Sequence, residues 1–597
     1  MSNKFLRAVY FALLVALPAV LFFSYHPIIS LGANSSMNFE LSLPLIWLIL
    51  FDFISLTNFA ILFRRYKNSD ARHRLEKARG EKKGFKVFCE GVRLGLAPRS
   101  GQGKKLLKSF ILLSFPVYVS ASIFWSANPL RAILTVGILW LVIFAVFAII
   151  RLSPLLEPPS RLKIWAIRAF FVSTAVVCLF CFIQSLLDSC GLSRETTLLC
   201  AGCTYRSFGF PHPNGFAIEP QFMGNLLLAP TLLVLYLLCQ ATSKTPSHPN
   251  KTEQNSKTEH VEPEQTTTTF PHLRKTPVKT ALVICAILFS TTLFFTFSRG
   301  AIYSYALGLV ILIIFALRRR IFRPVLIIIP VTTFFLSLGL QGTFAHFGPT
   351  SETFTSAVTK SIHQLSLGII DLRPQPSSEP KPDISEASPQ PTNEVPGKVS
   401  EGANNQAEPG PNATPLGEHS ERLTAPSETL PNPTFDGYVA ESTNVRLGLS
   451  ASALATWSQN PRTILFGVGL GGAGIAMYEF DPVSNPSPKE IVQNQPISLL
   501  LETGLVGVSL LFLALYFSFR PSNHHFWAHP ALPLLISLAT AYLISLQFFA
   551  GLPNALHIYL LPPLFWYLFL PNQPKSVKIT KSSTNSLPKT QNKHKHS

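Results

Sequence analysis

The stretch "AILTVGILWLVIFAVFAII", residues 132–150, contains no charged side chain. As an α-helix it would be about 28 Å long, close to the roughly 30 Å thickness of the hydrocarbon core of a bilayer. A helix also satisfies its own backbone hydrogen bonds, which lipid cannot do. The stretch therefore predicts a transmembrane helix.

Similar apolar runs recur on both sides of this stretch. The chain has 597 residues, of which 47% are hydrophobic and 14% charged, with a mean hydropathy of +0.30. This composition is typical of many spans joined by polar loops. The predicted class is an all-α polytopic membrane protein with about twelve transmembrane helices and a large extracytoplasmic loop. The predicted spans are 8–25, 42–62, 108–125, 132–150, 164–187, 218–239, 280–297, 301–317, 324–341, 496–518, 531–549 and 554–571.

Positive charge is concentrated in a few connectors, although the net charge is +19 overall. The 64–108 loop holds about fifteen Lys and Arg, and 151–163, 318–320 and the 573–597 tail are also basic. If the spans alternate, all of these fall on one side, which the positive-inside rule makes cytoplasmic. We therefore expect both termini in the cytoplasm. The basic loops are interpreted as topology determinants near lipid headgroups, and nucleic acid is not an expected partner.

Composition divides the chain into four parts. The predicted parts are an N-terminal bundle (1–341) with a basic cytoplasmic loop (64–108) and a cytoplasmic linker (241–279), a large extracytoplasmic loop (342–495), C-terminal transmembrane helices (496–572) and a basic cytoplasmic tail (573–597). Within the large loop, 372–434 is rich in Pro, Ser, Glu and Asn and is predicted to be disordered. Both of its flanks carry helical spacing.

Three arginines fall on the side that the topology makes extracytoplasmic. Arg206, Arg299 and Arg446 lie in or beside the connectors 188–217 and 342–495 and the turn at 298–300. A single arginine at the membrane boundary often only extends its side chain to the lipid headgroups. By the positive-inside rule, however, few cations are expected on this side of the membrane. Guanidinium groups bind phosphate through paired donors, so the three indicate an anionic ligand such as a lipid diphosphate.

The segment "RSFGFPHPNGFAIEPQFMGNLLL", residues 206–228, interrupts the chain with Pro and Gly before an apolar helix. Irregular backbone at this depth is tolerated where protein or water surrounds it, which predicts a cavity. His212 is a candidate substrate-binding residue there. Glu219 either complements the helix dipole or pairs with an arginine, or it orients the acceptor and takes a proton from it.

Other motifs narrow the chemistry. The glycines of "GVGLGGAG", residues 467–474, allow tight turns or close backbone approach, but they form no nucleotide-binding fingerprint. We find no P-loop, HExxH motif or convincing acidic metal pair, so neither a metal nor a cofactor is expected. Cys190, Cys200 and Cys203 share the 188–217 loop and are candidates for one disulfide.

The order of these elements resembles the O-antigen ligase and O-antigen polymerase superfamily. The resemblance rests on four segments, which span about 200–520: "FGFPHPNGFAIEPQFMGNLL", "FTFSRGAIYSYALGLVILI", "NVRLGLSASALATWSQNPRTILFGVGLGG" and "VQNQPISLLLETGLVGVSLL". It implies an inverting, metal-independent glycosyltransferase in which Arg206, Arg299 and Arg446 bind the donor diphosphate and stabilise the leaving charge. Arg299 and Arg446, with Glu219, are the predicted catalytic residues. Arg206, His212, Gln493 and Asn494 are the predicted substrate-binding residues.

One departure from the family pattern bears on the general base. Many relatives have His-Asn where this chain has Gln493-Asn494. Glutamine cannot act as an ordinary base, so that role is absent, or falls to Glu219, or to one of the histidines His212, His346 and His363.

The predicted partners are a polyprenyl-diphosphate-linked glycan donor, a glycan or lipid acceptor, and membrane lipids. The predicted location is the plasma membrane, with the active site on its extracytoplasmic face, in surface polysaccharide biosynthesis. Two alternatives stay open: a protein O-oligosaccharyltransferase of the same fold, and a non-catalytic lipid or glycan transporter. A transporter would place its charges near the midplane and show internal repeats, and neither is evident.

Overall fold

The computed structural model describes much of the chain, with gaps in the connectors. The described residues are 3–23, 27–31, 39–68, 103–156, 158, 161–190, 212–217, 219–242, 276–319, 321–348, 353–366, 369–370, 435–482, 485, 487–488, 491–519, 529–548, 551–552 and 555–570.

These residues form a bundle of helices. In chain order the helices are α1 (Asn3–Leu21), α2 (Leu43–Asn68), α3 (Gly103–Ala121), α4 (Pro129–Phe147), α5 (Leu162–Ser189), α6 (Pro220–Thr242), α7 (Thr276–Phe295), α8 (Arg299–Arg318), α9 (Val325–Phe347), α10 (Phe354–Leu365), α11 (Phe435–Trp457), α12 (Pro461–Phe466), α13 (Ala473–Phe480), α14 (Gln495–Phe519), α15 (Leu532–Ser545) and α16 (Leu556–Leu568). A 3-10 turn, Ser122–Trp125, follows α3. A π-helical turn, Ala148–Leu152, and a short helix, Ser153–Leu155, extend α4.

Nine helical stretches among the described residues are long and apolar enough to cross a membrane. Three shorter apolar stretches, Phe110–Trp125, Leu532–Ser545 and Leu556–Leu568, lie where the sequence predicts further spans. The last two, α15 and α16, would each be about 20 Å long, less than the roughly 30 Å of a full crossing. The chain is a multi-pass membrane protein, and the count of twelve stays a prediction.

The predicted all-α class is confirmed for the described residues, with the addition of one short hairpin. Strands β1 (Pro27–Leu31) and β2 (Phe39–Ser42) pair antiparallel in the first connector, with Leu31 opposite Phe39 and Pro27 opposite Ser42. Strands this short contain too few residues to show a clear alternation of apolar and polar side chains. The hydropathy pattern therefore missed them.

Helix α6 is the centre of the bundle. In its most apolar window 94% of the residues are buried, against 28–50% in the other candidate spans. It packs against α7, α8 and α15. A helix that is apolar on all sides is normally a core helix, and the Leu-rich sequence of α6 fits that position. Its first turn is therefore held on several sides.

Basic connectors meet at one end of this bundle. The Lys163 ammonium donates to the Leu570 carbonyl, and Arg319 Nη1 donates to the Pro530 carbonyl over 3.4 Å. Next to Pro530, the His529 ring stacks on Trp566 with 4.0 Å between ring centroids. The opposite end, which holds the turn at Ser298 and helices α10–α13, is called the loop end below.

Helices lie on both flanks of the predicted insertion, as their spacing predicts. Helix α10 occupies the first flank and α11 the second. The insertion at 372–434, most of the 64–108 loop and of the 241–279 linker, and the 573–597 tail lie outside the described residues.

A glycine-rich loop, residues 467–472, lies against the turn that follows α3. The Ser126 hydroxyl donates to the Leu470 carbonyl over 3.0 Å, and the Leu470 amide donates to the Ser122 hydroxyl over 3.2 Å. Gly469 has φ +87, and a Cβ there would lie 2.4 Å from the Ser126 Cα. Only glycine fits this position, because both the backbone conformation and the space exclude a side chain.

The same loop is joined to a kink in α14. The Gly469 amide donates to the Glu502 carbonyl over 2.9 Å, and the Glu502 carboxylate accepts from the amides of Gly471, over 3.0 Å, and Ala473. The kink is at Gly504, where φ is 61. Arg131 lies close enough to Glu502 to interact with it electrostatically. The loop thus connects α14 to α3 and α4.

We expect Gly469→Ala to destabilise the protein. An alanine at positive φ costs about 1–2 kcal/mol, and the overlap with Ser126 adds to that. Gly448→Ala is the matched control, since a Cβ at Gly448 meets nothing within 4 Å. The thermal unfolding midpoint in detergent should fall for Gly469→Ala and stay or rise for Gly448→Ala. Equal midpoints would contradict this account of the loop.

Candidate functional site

Gln221, in the first turn of α6, connects three parts of the chain. Its side-chain oxygen accepts a hydrogen bond of 3.1 Å from Nη2 of Arg446, in α11. Its side-chain nitrogen donates to the carbonyl of Phe548, which follows α15. An amide side chain can do both, because it carries an acceptor and a donor. Arg446, a predicted catalytic residue, is therefore held at the entrance to α6.

Arg299 is the first residue of α8, and its position depends on the preceding turn. The Ser298 hydroxyl caps the helix by accepting from the Ala301 amide over 3.4 Å. Phe297 has φ 49, an unusual value for a residue with a bulky side chain. Such strained positions cluster at functional sites, where the surroundings enforce them.

The Arg299 turn is close to the Gln221 hydrogen bonds. A Cβ at Gly300 would lie 3.0 Å from the Phe548 Cβ, so the start of α8 touches the residue that Gln221 binds. A Cβ at Gly224 would lie 2.6 Å from the Ala301 Cβ, so α6 and α8 also begin side by side. Two of the three predicted arginines therefore lie around one small region of the loop end, and Arg206 lies outside the described residues.

Glu219 precedes α6 and lies two residues before Gln221. Its carbonyl accepts from the Met223 amide over 3.2 Å, which starts the helix, and its side chain is exposed. An exposed carboxylate at this position can reach a molecule bound at the loop end.

The start of α14 joins the same region. The Gln495 amide donates to the Leu546 carbonyl over 2.9 Å, and the Gln495 side-chain oxygen accepts from the Gly551 amide. Asn494 caps α14 by accepting from the Ile497 amide over 3.2 Å, and Gln493 is exposed. Asn494 therefore has a helix-capping role, while Gln493 is free to meet solvent or a ligand.

The backbone before α6 is irregular, as its Pro and Gly residues predict, and it is satisfied by protein. Gln184 of α5 accepts from the Gly215 amide over 2.9 Å and donates to the Gly215 carbonyl over 3.2 Å. Asn214 donates to the Ala217 carbonyl over 3.0 Å. These hydrogen bonds meet the requirement that buried non-helical backbone be paired.

His212 is buried against the turn that carries Arg299. Its Nδ1 lies 3.3 Å from the Thr296 carbonyl, and its ring meets the Phe297 ring edge-on with 5.8 Å between centroids. Burial lowers the pKa of His212 from 6.5 to about 4, so the ring is neutral at physiological pH. These contacts suit a residue that supports the Phe297 turn.

The other histidines lie on the surrounding loop helices. His346 is exposed in the last turn of α9, beside Phe347. His363 is buried in α10, and the Tyr303 hydroxyl donates to the Leu365 carbonyl two residues further on. Helix α10 thus packs on the first turns of α8, beyond Arg299.

Cysteines and other side chains that can bind a metal bear on the metal and disulfide predictions, and the described residues contain several of them. Within the described part of the chain, no group of three or more His, Cys, Asp or Glu side chains could hold a metal ion. Cys190 follows α5 and is exposed, whereas Cys200 and Cys203 lie outside the described residues.

Sequence reasoning missed Gln221 and Gln495. Each is a glutamine at the start of an apolar helix, beside a residue that the motifs had singled out. A polar side chain inside an apolar segment is unfavourable unless it has a hydrogen-bond partner. The presence of a glutamine in each of these apolar segments could therefore have identified Gln221 and Gln495.

We expect acid to destabilise the protein partly through His212. The folded-state pKa of about 4 lies below the unfolded value of 6.5. Between pH 6.5 and pH 4 the unfolded state therefore binds more protons than the folded state. The free energy of unfolding is highest above pH 6.5 and falls toward pH 4, by up to about 1.4 kcal/mol per pH unit.

The variant His212→Gln removes this contribution. Its unfolding midpoint should fall less between pH 7.5 and pH 5 than that of the wild type, even if its stability at pH 7.5 is lower. The same pH dependence in both proteins would contradict the assigned burial.

Comparison with protein families finds a match within the chain. Residues 284–512 match the O-antigen ligase family. No curated protein and no solved structure matches the chain. The matched range contains α8, α11 and the start of α14, and with them Arg299, Arg446 and Gln493, while Glu219 and Gln221 precede it. This match supports the resemblance of the sequence to the O-antigen ligase and O-antigen polymerase superfamily.

Proposed function

We propose that the protein transfers a glycan from a polyprenyl diphosphate carrier to a hydroxyl of a second glycan or lipid, on the extracytoplasmic face of the plasma membrane. The observation that carries this proposal is the hydrogen bond between Arg446 and Gln221, next to the turn of Arg299. The match of residues 284–512 to the O-antigen ligase family supports it.

In this mechanism the two arginines bind the donor diphosphate. Arg446 approaches from α11 and Arg299 from the start of α8, so a diphosphate between them would be bound from two sides. Arginine suits this role because its guanidinium keeps its charge and binds phosphate oxygens in pairs. Charge accumulates on the diphosphate as it leaves, and fixed cations stabilise it most at that stage.

The bond changes form one inverting displacement. The acceptor hydroxyl oxygen attacks the anomeric carbon of the donor sugar from the face opposite the diphosphate. The bond between that carbon and the phosphate oxygen breaks, and the diphosphate leaves with the electron pair. The hydroxyl proton passes to the Glu219 carboxylate, which is exposed at the entrance to α6. No metal ion is required for this step.

The remaining residues of the site position these groups. Gln221 fixes the direction of the Arg446 side chain. His212 supports the Phe297 turn, Asn494 caps α14, and the exposed Gln493 beside it is a substrate-binding residue in this proposal. Arg206, outside the described residues, is a third donor-binding residue in this proposal.

We expect Arg299→Ala and Arg446→Ala each to lower glycan transfer by about 10²–10³-fold, the loss seen when one stabilising donor is removed from a transition state. The measurements are the length distribution of surface glycans in a deletion strain that expresses each variant, and the amount of protein in its membranes.

Arg168→Ala is the control for these variants, because Arg168 is exposed in α5 and lies over the Trp165 ring. It should keep normal glycans. Normal glycans in both Arg299→Ala and Arg446→Ala would refute the proposed function.

Glu219→Gln separates the two roles of Glu219. A general base accelerates the reaction by about 10²–10⁴-fold. If Glu219 has this role, kcat of the variant should fall by that factor, with an unchanged KM for the donor. The measurement is the transfer rate of the purified protein in lipid vesicles with a polyprenyl-diphosphate oligosaccharide. An unchanged kcat would assign Glu219 a structural role and remove it from the mechanism.

A further inference from the structure

A cavity lies at the loop end, beside the glycine-rich loop. It has a volume of about 320 Å³ and is formed by the turn after α3, the connection between α11 and α12, and the end of α13. Its lining includes the aromatic rings of Trp125 and Phe480 and the polar side chains of Gln459, Arg462 and Glu479. This volume is at the lower end of the roughly 300–1,000 Å³ of ligand pockets.

The walls of this cavity are held rigidly. Trp125 packs on Tyr118 with 5.8 Å between ring centroids. The connection between α11 and α12 is closed by a capping box, in which the Asn460 side chain accepts from the Thr463 amide over 2.9 Å. The Trp457 indole donates to the Ile464 carbonyl over 3.2 Å. A ligand would therefore find the cavity already formed, which lowers the entropy lost on binding.

The polar side chains of the lining are available to a ligand. Within the described part of the chain, the side chains of Gln459, Arg462 and Glu479 make no hydrogen bond or ion pair, and all three are exposed. Together they offer amide, guanidinium and carboxylate groups, which can donate to and accept from hydroxyl groups.

This combination favours a carbohydrate over other ligands. A sugar ring presents C–H groups on its faces and hydroxyl groups around its edge, which matches aromatic rings beside planar polar side chains. A diphosphate is disfavoured, because the Glu479 carboxylate opposes the charge of Arg462. A lipid chain is disfavoured, because it would cover these polar groups without pairing them.

The position of the cavity relates it to the proposed site. Helix α11 carries Arg446 and, further along, Thr456, which also lines the cavity. Thr456 is ten positions after Arg446, which corresponds to about 15 Å along the helix axis. The cavity is thus too far from Arg446 to hold the sugar that is bonded to the diphosphate, but near enough to hold another sugar of the same glycan.

We propose that this cavity binds a sugar unit of the substrate glycan, remote from the bond that is made. The inference rests on the proposed function, which supplies the glycan. Binding here keeps a long chain on the enzyme, so it acts on glycan affinity and leaves the displacement step unchanged.

Direct binding tests the proposal without requiring turnover. The probe is an oligosaccharide of defined length, cut from the surface glycan of the source strain and free of lipid and diphosphate, titrated into the purified full-length protein. The wild type should bind it saturably. Arg462→Ala and Gln459→Ala should each weaken binding at least about tenfold, which corresponds to about 1.4 kcal/mol.

Two variants serve as controls. Ser458→Ala changes an exposed residue next to Gln459 that does not line the cavity, and Arg446→Ala changes the proposed diphosphate site. Both should bind the oligosaccharide as the wild type does. Inorganic diphosphate should not compete with the oligosaccharide.

The outcomes distinguish this proposal from the proposed function. Equal affinity for the oligosaccharide in the wild type and both cavity variants would overturn the cavity assignment. Competition of diphosphate with the oligosaccharide would also overturn it. So would a lack of saturable oligosaccharide binding to a protein that transfers glycan. Binding with the expected variant pattern, but without any transfer by the wild type in vesicles with lipid-linked donor, would refute the transfer reaction and support the cavity.

Discussion

The geometry of the loop end depends on the hydrogen bonds of Gln221. One amide side chain accepts from Arg446 and donates to the Phe548 carbonyl, and so joins α11 and the segment after α15 to the first turn of α6. Hydrogen bonds to a charged group are stronger than neutral ones, and the bond between Arg446 and Gln221 is partly shielded from solvent. Arg446 is therefore held in one direction, which a binding site for a diphosphate requires.

Gln221 can serve as this anchor because α6 is itself immobilised. The helix is buried on nearly all sides, so its first turn is a fixed reference for the segments around it. Gln495 joins α14 to the end of α15, and the glycine-rich loop joins α14 to α3 and α4. Helices that lie outside the apolar bundle are thereby tied to it at several points, and the two proposed binding regions share one support.

Much of this architecture could be predicted from single segments. The lengths of the apolar segments located the spans, because a helix satisfies its own backbone hydrogen bonds in lipid. The glycines of 467–474 indicated the tight turn found at Gly469. The role of Gln221 could not be predicted, because its partners are more than two hundred residues away and no local pattern encodes them. The burial of His212 likewise follows from its contact with Thr296, in the turn between α7 and α8. The hairpin β1–β2 was too short to leave a periodic signal.

A lipid diphosphate bound between Arg299 and Arg446 would be visible in a cryo-electron microscopy structure of the full-length protein with a polyprenyl-diphosphate oligosaccharide. We expect density for the diphosphate within hydrogen-bonding distance of both guanidinium groups, with the oligosaccharide extending toward the end of α11. Density for the diphosphate at the opposite end of the bundle, near Lys163 and Arg319, would show that the two arginines do not bind it.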